Sequence, residues 1–195
     1  MIKRTISGQI DKGDVNHNNR KFIAENVDKN RVKDNITIVK DDIKQVYHEL
    51  FDDALRDFNA RQTRKDRIIH DYREHIRHGR QEKEFYEMIF QVGNKDDTPV
   101  GSEAAKTATE ILQEFTEGFI KRNPHLRVFN AVIHLDEATP TSTLTSYRSP
   151  PDRSAVYLHG IRCQRHWNSR GLRVRANWKQ TLRSGLRVRK KHFLL

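Results

Sequence analysis

The chain has 195 residues, of which 35% are hydrophobic and 32% are charged, and this fits one domain with a modest core. Its single cysteine, Cys163, excludes a disulfide framework and a cysteine-rich zinc site. The N-terminal residues lack the apolar segment of a secretory signal, and no run of about 18 apolar residues could span a membrane. We therefore expect a cytoplasmic protein without a membrane segment.

The net charge of +11 is typical of proteins that bind nucleic acid, but it is unevenly distributed. Residues 141–195 contain ten Arg and three Lys against one acid, Asp152, whereas residues 1–140 contain 24 basic and 25 acidic side chains. The entire basic excess therefore follows Pro140.

The first predicted elements are two short strands and an amphipathic helix. Residues 5–10 and the β-branched run 36–39 predict strands, and a polar loop separates them. Over residues 43–58, apolar side chains recur at steps of three and four residues, which predicts a helix with one buried face. Asp41 or Asp42 is suited to cap its N-terminus.

The next elements continue this alternation. A charged helix is predicted over residues 64–78, and the apolar run 85–92 predicts a buried strand. Ser102 can cap a helix that ends before Pro124. Residues 126–135 predict the last clear strand, in which apolar side chains alternate with more polar ones.

Residues 1–140 thus alternate strands with long helices that pack on one sheet, which is an α+β arrangement. After Pro140, no helical or strand period persists for more than a few residues. We therefore predict a domain over residues 1–140 and an irregular or disordered region over residues 141–195.

The polar loop contains the sequence His-Asn-Asn-Arg at residues 17–20. An imidazole three residues from a guanidinium is suited to phosphate chemistry, with His17 as a nucleophile or base and Arg20 as a clamp on the phosphoryl oxygens. A solvated loop with Asn-rich turns would have the same pattern.

A second group of polar side chains follows the strand over residues 126–135. His134, Asp136 and Glu137 lie at its end, and an imidazole close to carboxylates can hold a divalent metal. The alternative is a strand end with solvated acids, since a tight site normally takes three or four ligands.

Together, HNNR at residues 17–20 and VFNAVIHLDEATP at residues 128–140 resemble motifs of the MobV family of plasmid mobilisation relaxases, also called Pre/Mob plasmid recombination enzymes. The resemblance covers residues 1–140. It implies an antiparallel sheet with long helices on one face, and a domain that nicks one strand of plasmid DNA at the transfer origin. By resemblance, His17 matches the nucleophile, which stays joined to the 5′ phosphate, and Arg20 matches the arginine of the same motif.

The second motif of the resemblance implies a metal site. In the family it reads His-x-Asp-Glu-x-Thr-Pro-His-x-His, and its histidines and glutamate form a site for Mn²⁺ or Mg²⁺. By resemblance, His134 and Glu137 match ligands, and Glu137 belongs to the catalytic site. Thr141 and Thr143 stand where the last two histidines are expected, which predicts impaired metal binding and catalysis.

A slip of reading frame would account for this departure. Permitted codons for residues 141–149 can be chosen so that one added nucleotide changes the encoded sequence to His-Leu-His-Ile-Asp-Phe-Val-Pro-Phe. This restores both histidines and adds an alternating strand. We therefore hypothesise that residues 141–195 are read out of frame, so that residues 1–140 form an incomplete relaxase-like domain. The strand over residues 126–135 would then lack a neighbour and expose an edge that favours aggregation.

Two other functions remain open. A genuine basic tail would make the chain a non-catalytic DNA-binding protein of the same family, since charge blocks often act as interaction tails. A small basic protein that associates with RNA or the ribosome is the alternative from another class.

Overall fold

The computed structural model describes residues 6–11, 13–79 and 82–148. These residues form one antiparallel five-stranded sheet in the order β1-β3-β5-β4-β2. The strands are β1 (Ile6–Asp11), β2 (Ile36–Lys40), β3 (Tyr86–Val92), β4 (Leu126–His134) and β5 (Thr141–Arg148). The helices are α1 (Val15–Asn18), α2 (Ile43–Ala60), α3 (Tyr72–His78) and α4 (Glu103–Arg122). Among the described helices, none has the length and hydropathy needed to cross a membrane.

The α+β fold class is confirmed, and most elements lie within a few residues of their predicted positions. Asp42 caps α2 by accepting a hydrogen bond from the Lys44 amide at 2.7 Å. Ser102 caps α4 in the same way, with the Ala105 amide 3.1 Å from its hydroxyl oxygen. Both caps satisfy backbone donors that the first turn of a helix leaves free.

The charged helix predicted over residues 64–78 is wrong in its first half. A 3₁₀ turn occupies Lys65–Arg67, and α3 begins only after Asp71, whose side chain accepts a backbone hydrogen bond from the first turn. Between them, the side chain of Asn59 makes two hydrogen bonds with the backbone of Ile69. These bonds replace the helical partners of Ile69, so the helix starts later than periodicity suggests.

The strand β5 corrects the expectation that the chain becomes irregular after Pro140. It pairs with β3 on one side and with β4 on the other, so it is the central strand and β4 has no free edge. Thr is β-branched and favours strands, but Ser and Thr on both faces hide the hydrophobic alternation that would have revealed the strand. Residues 149–195, on which the rest of this expectation falls, lie outside the described part.

The hydroxyl groups of β5 are buried because they find hydrogen-bond partners. Thr143 donates to the carbonyl of Val132, and Thr145 donates to that of Asn130, each over 3.4 Å. These bonds link β5 to β4 in addition to the backbone ladder. A central strand rich in hydroxyls therefore avoids the cost of unpaired buried polar groups.

Helix α4 covers one face of the sheet. The apolar core between them consists of Ile6, Met88, Phe90, Val92, Ala108, Leu112, Phe119, Val128, Ala131, Ile133 and Leu144. The fully buried hydroxyls of Thr116 on α4 and Ser142 on β5 lie 2.8 Å apart. Ser142 and Leu144 lie on the α4 side, so the even-numbered residues of β5 face α4. Because side chains alternate along a strand, the odd-numbered residues lie on the opposite face, which we call the second face.

On the second face, Tyr147 packs against α2 and α3. Its ring lies 5.3 Å from that of Tyr47 and 5.1 Å from that of Phe51, in edge-to-face contacts, and Ile76 of α3 belongs to the same cluster. The expectation that the long helices share one face is therefore corrected, because α2 and α4 pack on opposite faces of the sheet.

The rest of the second face is covered by residues 13–35. Gly13 has a φ of 64°, and a Cβ atom there would lie 2.6 Å from the Cβ of Glu87, so the backbone approaches β3 as closely as only glycine permits. Asn18 donates a hydrogen bond to the carboxylate of Glu87. Burial under this segment raises the pKa of Glu87 above its usual range, although the Asn18 hydrogen bond and the charge of His17 oppose the change.

Replacing Glu87 by Gln is expected to stabilise the fold at neutral pH. A carboxyl with a raised folded-state pKa destabilises the fold once the pH exceeds its unfolded-state pKa, and the penalty is complete above the folded-state pKa. The gain from Glu87→Gln should therefore be absent below the ordinary pKa of 4.5 and grow as the pH rises. Urea denaturation at pH 4 and pH 7 measures it, with the exposed Glu25→Gln as the control. A gain of equal size at both pH values would contradict the burial of an ionising carboxyl.

Candidate active site at the end of β4

The His-Asn-Asn-Arg sequence folds into α1 and the turn that ends it. Asp14 caps α1 through its side chain, which lies 2.8 Å from the Asn16 amide. At the other end, the amide of Arg20 donates to the carbonyl of His17, and that of Lys21 donates to Asn16, each over 2.9 Å. This pair of bonds is a Schellman motif, whose left-handed position is normally glycine.

Arg20 occupies that left-handed position with a φ of 51°. A non-glycine residue pays about 1–2 kcal/mol for this conformation, and such strain persists only where other contacts over-determine it. The hydrogen bonds of the Arg20 side chain are the contacts that hold its backbone in this conformation.

The guanidinium of Arg20 joins the two predicted motifs. It makes a bidentate pair with Asp136, with its Nε 2.7 Å and its Nη2 2.6 Å from the two carboxylate oxygens. Nη2 also donates to Glu137 over 2.8 Å, and Nη1 lies 3.1 Å from Nε2 of His17. The Arg20 side chain is only 4% exposed and that of Asp136 is fully buried, so this pair is shielded from water and salt.

Asp136 is fixed from several directions. The side-chain amide nitrogen of Asn35 donates to Oδ2 of Asp136 over 2.6 Å. The side-chain oxygen of Asn35 accepts a hydrogen bond from the backbone N–H of Leu135 over 2.7 Å. The backbone carbonyl of Asp136 accepts from the Asp28 amide over 2.8 Å. Burial by itself would raise the pKa of Asp136, but the hydrogen bonds from Arg20 and Asn35 hold it below its usual range. Asp136 is therefore an ionised anchor with its acceptor sites occupied.

His134 is buried like Asp136, and its side chain is 1% exposed. Its Nε2 lies 2.9 Å from the Thr143 hydroxyl. Its buried Nδ1 has no hydrogen-bond partner among the residues that the structure describes and is 3.8 Å from Asp136. Burial and the charge of Arg20 lower the pKa of His134 to about 4. The imidazole is therefore neutral at physiological pH, and His134 and Asp136 do not form an ion pair.

The two threonines that replace the expected histidines lie beside His134. In the register of β4 and β5, Thr141 is opposite His134, and Thr143 is opposite Val132. Both belong to the second face, two residues apart on one strand. If the alternative reading frame encoded histidines at these two positions, they would lie on the same face of the sheet as His134.

The residues present do not fit a tight metal site. His134, Asp136 and Glu137 offer ligand atoms within 4.8 Å of one another, and the unpartnered Nδ1 of His134 is suited to a metal. However, Arg20 and Asn35 occupy the carboxylate of Asp136, and Arg20 also holds Glu137. The guanidinium already offsets one of the two negative charges that would attract a cation, and threonine hydroxyls are poor substitutes for imidazoles.

The structure brings all the predicted site residues into one place. His17 and Arg20 meet His134 and Glu137 across more than 110 residues of chain. Sequence reasoning missed Asn35 and Glu87. Asn35 gave no signal, because an Asn before a strand is an ordinary loop residue. Glu87 did give one, since it is a lone carboxylate within an apolar strand.

Two solved structures with likeness to the chain are both of the MobM relaxase domain (MOBV; Mob_Pre) bound to a 22-nucleotide oriT DNA of plasmid pMV158, with Mn. The first, at pH 5.5, is 17% identical over 80% of this chain and 79% of that chain, with a TM-score of 0.42. The second, at pH 4.6, is also 17% identical, over 73% and 70%, with a TM-score of 0.39. A search of curated proteins gives no significant match.

The model of the Mob_Pre family, described as plasmid recombination enzyme, matches residues 13–156. The matched range includes both motifs and all of β5. It confirms the resemblance drawn from the motifs, and the chain therefore belongs to the Mob_Pre family of plasmid recombination enzymes.

Proposed function

We propose that the chain is a plasmid mobilisation protein that binds DNA of a transfer origin through the site around His17, and that its strand-cleaving activity is impaired. The observation that carries this proposal is the contact of one guanidinium, that of Arg20, with His17, Asp136 and Glu137. Such a cluster of imidazole, guanidinium and carboxylates is suited to phosphoryl chemistry. Membership of the family of plasmid recombination enzymes supports DNA as the partner.

The proposed chemistry begins with the imidazole of His17. A lone pair on one ring nitrogen forms a bond to phosphorus as the bond to the 3′ oxygen breaks, and the departing oxygen takes up a proton. The 5′ phosphate then remains on His17. Arg20 lies within hydrogen-bond distance of Nε2, so its charge is well placed to stabilise the negative charge that develops on the phosphate.

We expect impaired strand cleavage because the positive charge of Arg20 is already paired with acids. Arg20 is held by three hydrogen bonds to Asp136 and Glu137, which leaves little of its charge for a phosphate. The metal that the family uses would provide a second positive charge, but the donor set here does not fit one. We therefore assign His17 as the nucleophile, with Arg20 and Glu137 in the catalytic site, and we expect slow cleavage.

The arrangement of β5 supports the reading-frame hypothesis. The positions of Ser142 and Ser146 are buried on the α4 side of the sheet, where the alternative frame would encode Leu and Phe. On the second face it would encode His at the positions of Thr141 and Thr143. The alternative frame would thus encode apolar residues on the core face and histidines on the face of His134, which agrees with the two faces of this sheet.

A second candidate function rests on the charge of the C-terminal residues. Residues 149–195, which lie outside the described part, contain nine Arg and three Lys against one acid. Such a segment attracts DNA or RNA through phosphate contacts without a folded site.

Metal binding is the first test of the impaired site. Isothermal titration of the wild-type chain with Mn²⁺ should show weak binding. The double variant Thr141→His/Thr143→His should bind at least roughly 10- to 100-fold more tightly, because loss of a residue that only supports a ligand already changes metal affinity by that much. The matched control is Thr141→Ala/Thr143→Ala, which changes the same positions without imidazoles. Tight binding of one Mn²⁺ by the wild-type chain would contradict the proposal.

Strand cleavage is the second test. A chain with a restored reading frame after Pro140 should convert supercoiled plasmid carrying a family transfer origin to open circles in Mn²⁺, with protein attached to the DNA. The wild-type chain should do so far more slowly, because we expect it to bind Mn²⁺ weakly and because its Arg20 is held by the acids. His17→Ala in the restored chain should remove the attached protein. Equal cleavage by the wild-type and restored chains would refute impairment.

Salt dependence separates the two candidate functions. If the basic residues dominate binding, affinity for duplex DNA should fall by about 10³-fold or more between 50 and 200 mM salt, and deletion of residues 149–195 should abolish it. This deletion retains β5, and circular dichroism checks that the fold survives. Origin-specific binding that persists after the deletion would support the site around His17 instead.

A further inference from the structure

Phe22 and Ile23 are two large apolar side chains that remain exposed directly after the His-Asn-Asn-Arg turn. Phe22 is 49% exposed and Ile23 is 41% exposed. Single exposed apolar residues are common on protein surfaces and need no explanation. Phe22 differs because its ring lies 5.6 Å from the imidazole of His17, tilted by 47°. The ring thus borders the proposed nucleophile, while about half of the residue's surface remains exposed to solvent.

We propose that Phe22 is a stacking platform for a base of single-stranded DNA, next to the phosphate that His17 and Arg20 receive. This inference rests on the proposed function, since it presumes DNA as the substrate. The observation behind it is the exposed aromatic ring of Phe22, which is separate from the hydrogen bonds of Arg20 that support the proposed function. Aromatic side chains that remain open beside a phosphate-binding group are the usual means by which proteins hold single-stranded bases.

The surroundings of Phe22 favour a nucleotide over a protein partner. Exposed Lys21 precedes Phe22 in the chain, which adds a positive charge to this segment. A nucleotide has a flat apolar base at a fixed short distance from an anionic phosphate, which matches an aromatic ring beside the His17 imidazole that Arg20 contacts. A phenyl ring has no hydrogen-bonding group, so Phe22 should add affinity without selecting the identity of the base.

The test is a double-mutant cycle between Phe22 and the bases of the DNA. Fluorescence anisotropy measures binding of the full chain to oligothymidylate of about 12 nucleotides and to an abasic oligonucleotide of equal length. Both carry the same phosphates, so contacts of the C-terminal basic residues with phosphate cancel in the cycle. Phe22→Ala should weaken binding to oligothymidylate by about 5- to 150-fold, the range of one base stacked on one aromatic, and leave binding to the abasic strand unchanged.

Matched variants distinguish stacking from loss of structure. Phe22→Tyr should retain affinity, whereas Phe22→Leu, which keeps apolar volume without an aromatic face, should lose it. Ile10→Ala is the control for an exposed apolar residue, since Ile10 is 47% exposed on the edge strand β1. A coupling between Phe22 and the bases below about two-fold overturns the inference and leaves DNA binding at the site intact. Failure of the wild-type chain to bind either strand overturns the proposed function as well.

Discussion

The bidentate ion pair between Arg20 and Asp136 is the constraint on which the candidate site depends. It joins two segments that are 116 residues apart in the chain. Breaking such a buried pair by removing one partner is strongly destabilising, commonly by 3–5 kcal/mol, because the other charge is left without compensation. The same pair holds Arg20 in its left-handed conformation and places its guanidinium beside His17 and Glu137. The local geometry of the first motif is thus determined by the second motif.

The pair also explains the electrostatic balance of the site. One guanidinium offsets only one of the two carboxylates, and the neutral imidazole of His134 adds no positive charge. One negative charge is left over among these groups, which opposes a phosphate and is a weak attraction for a cation. A metal would have to compete for the carboxylate oxygens with the guanidinium of Arg20, which already forms a bidentate pair with Asp136.

Most of the fold was predictable because its elements have strong local signals. Helices α2 and α4 have apolar stripes and capping residues, and β3 and β4 are apolar runs. Strand β5 was missed because its pattern consists of Thr and Ser, which carry no contrast between a buried and a solvated face. Only its position between β3 and β4, and the hydrogen bonds that its hydroxyls make there, show why it is a strand. Similarly, His17, Arg20, His134 and Glu137 were found as motifs, but the roles of Asn35 and Glu87 depend on contacts that no local spacing encodes.

The central position of β5 has a consequence for how the chain reaches its folded state. β5 is the last of the five strands along the chain, yet it separates β3 from β4 in the sheet. During synthesis, β3, α4 and β4 therefore emerge with two backbone edges that stay unpaired until β5 follows them. Folding that depends on such late, long-range pairing is slow and exposes surfaces that associate between molecules.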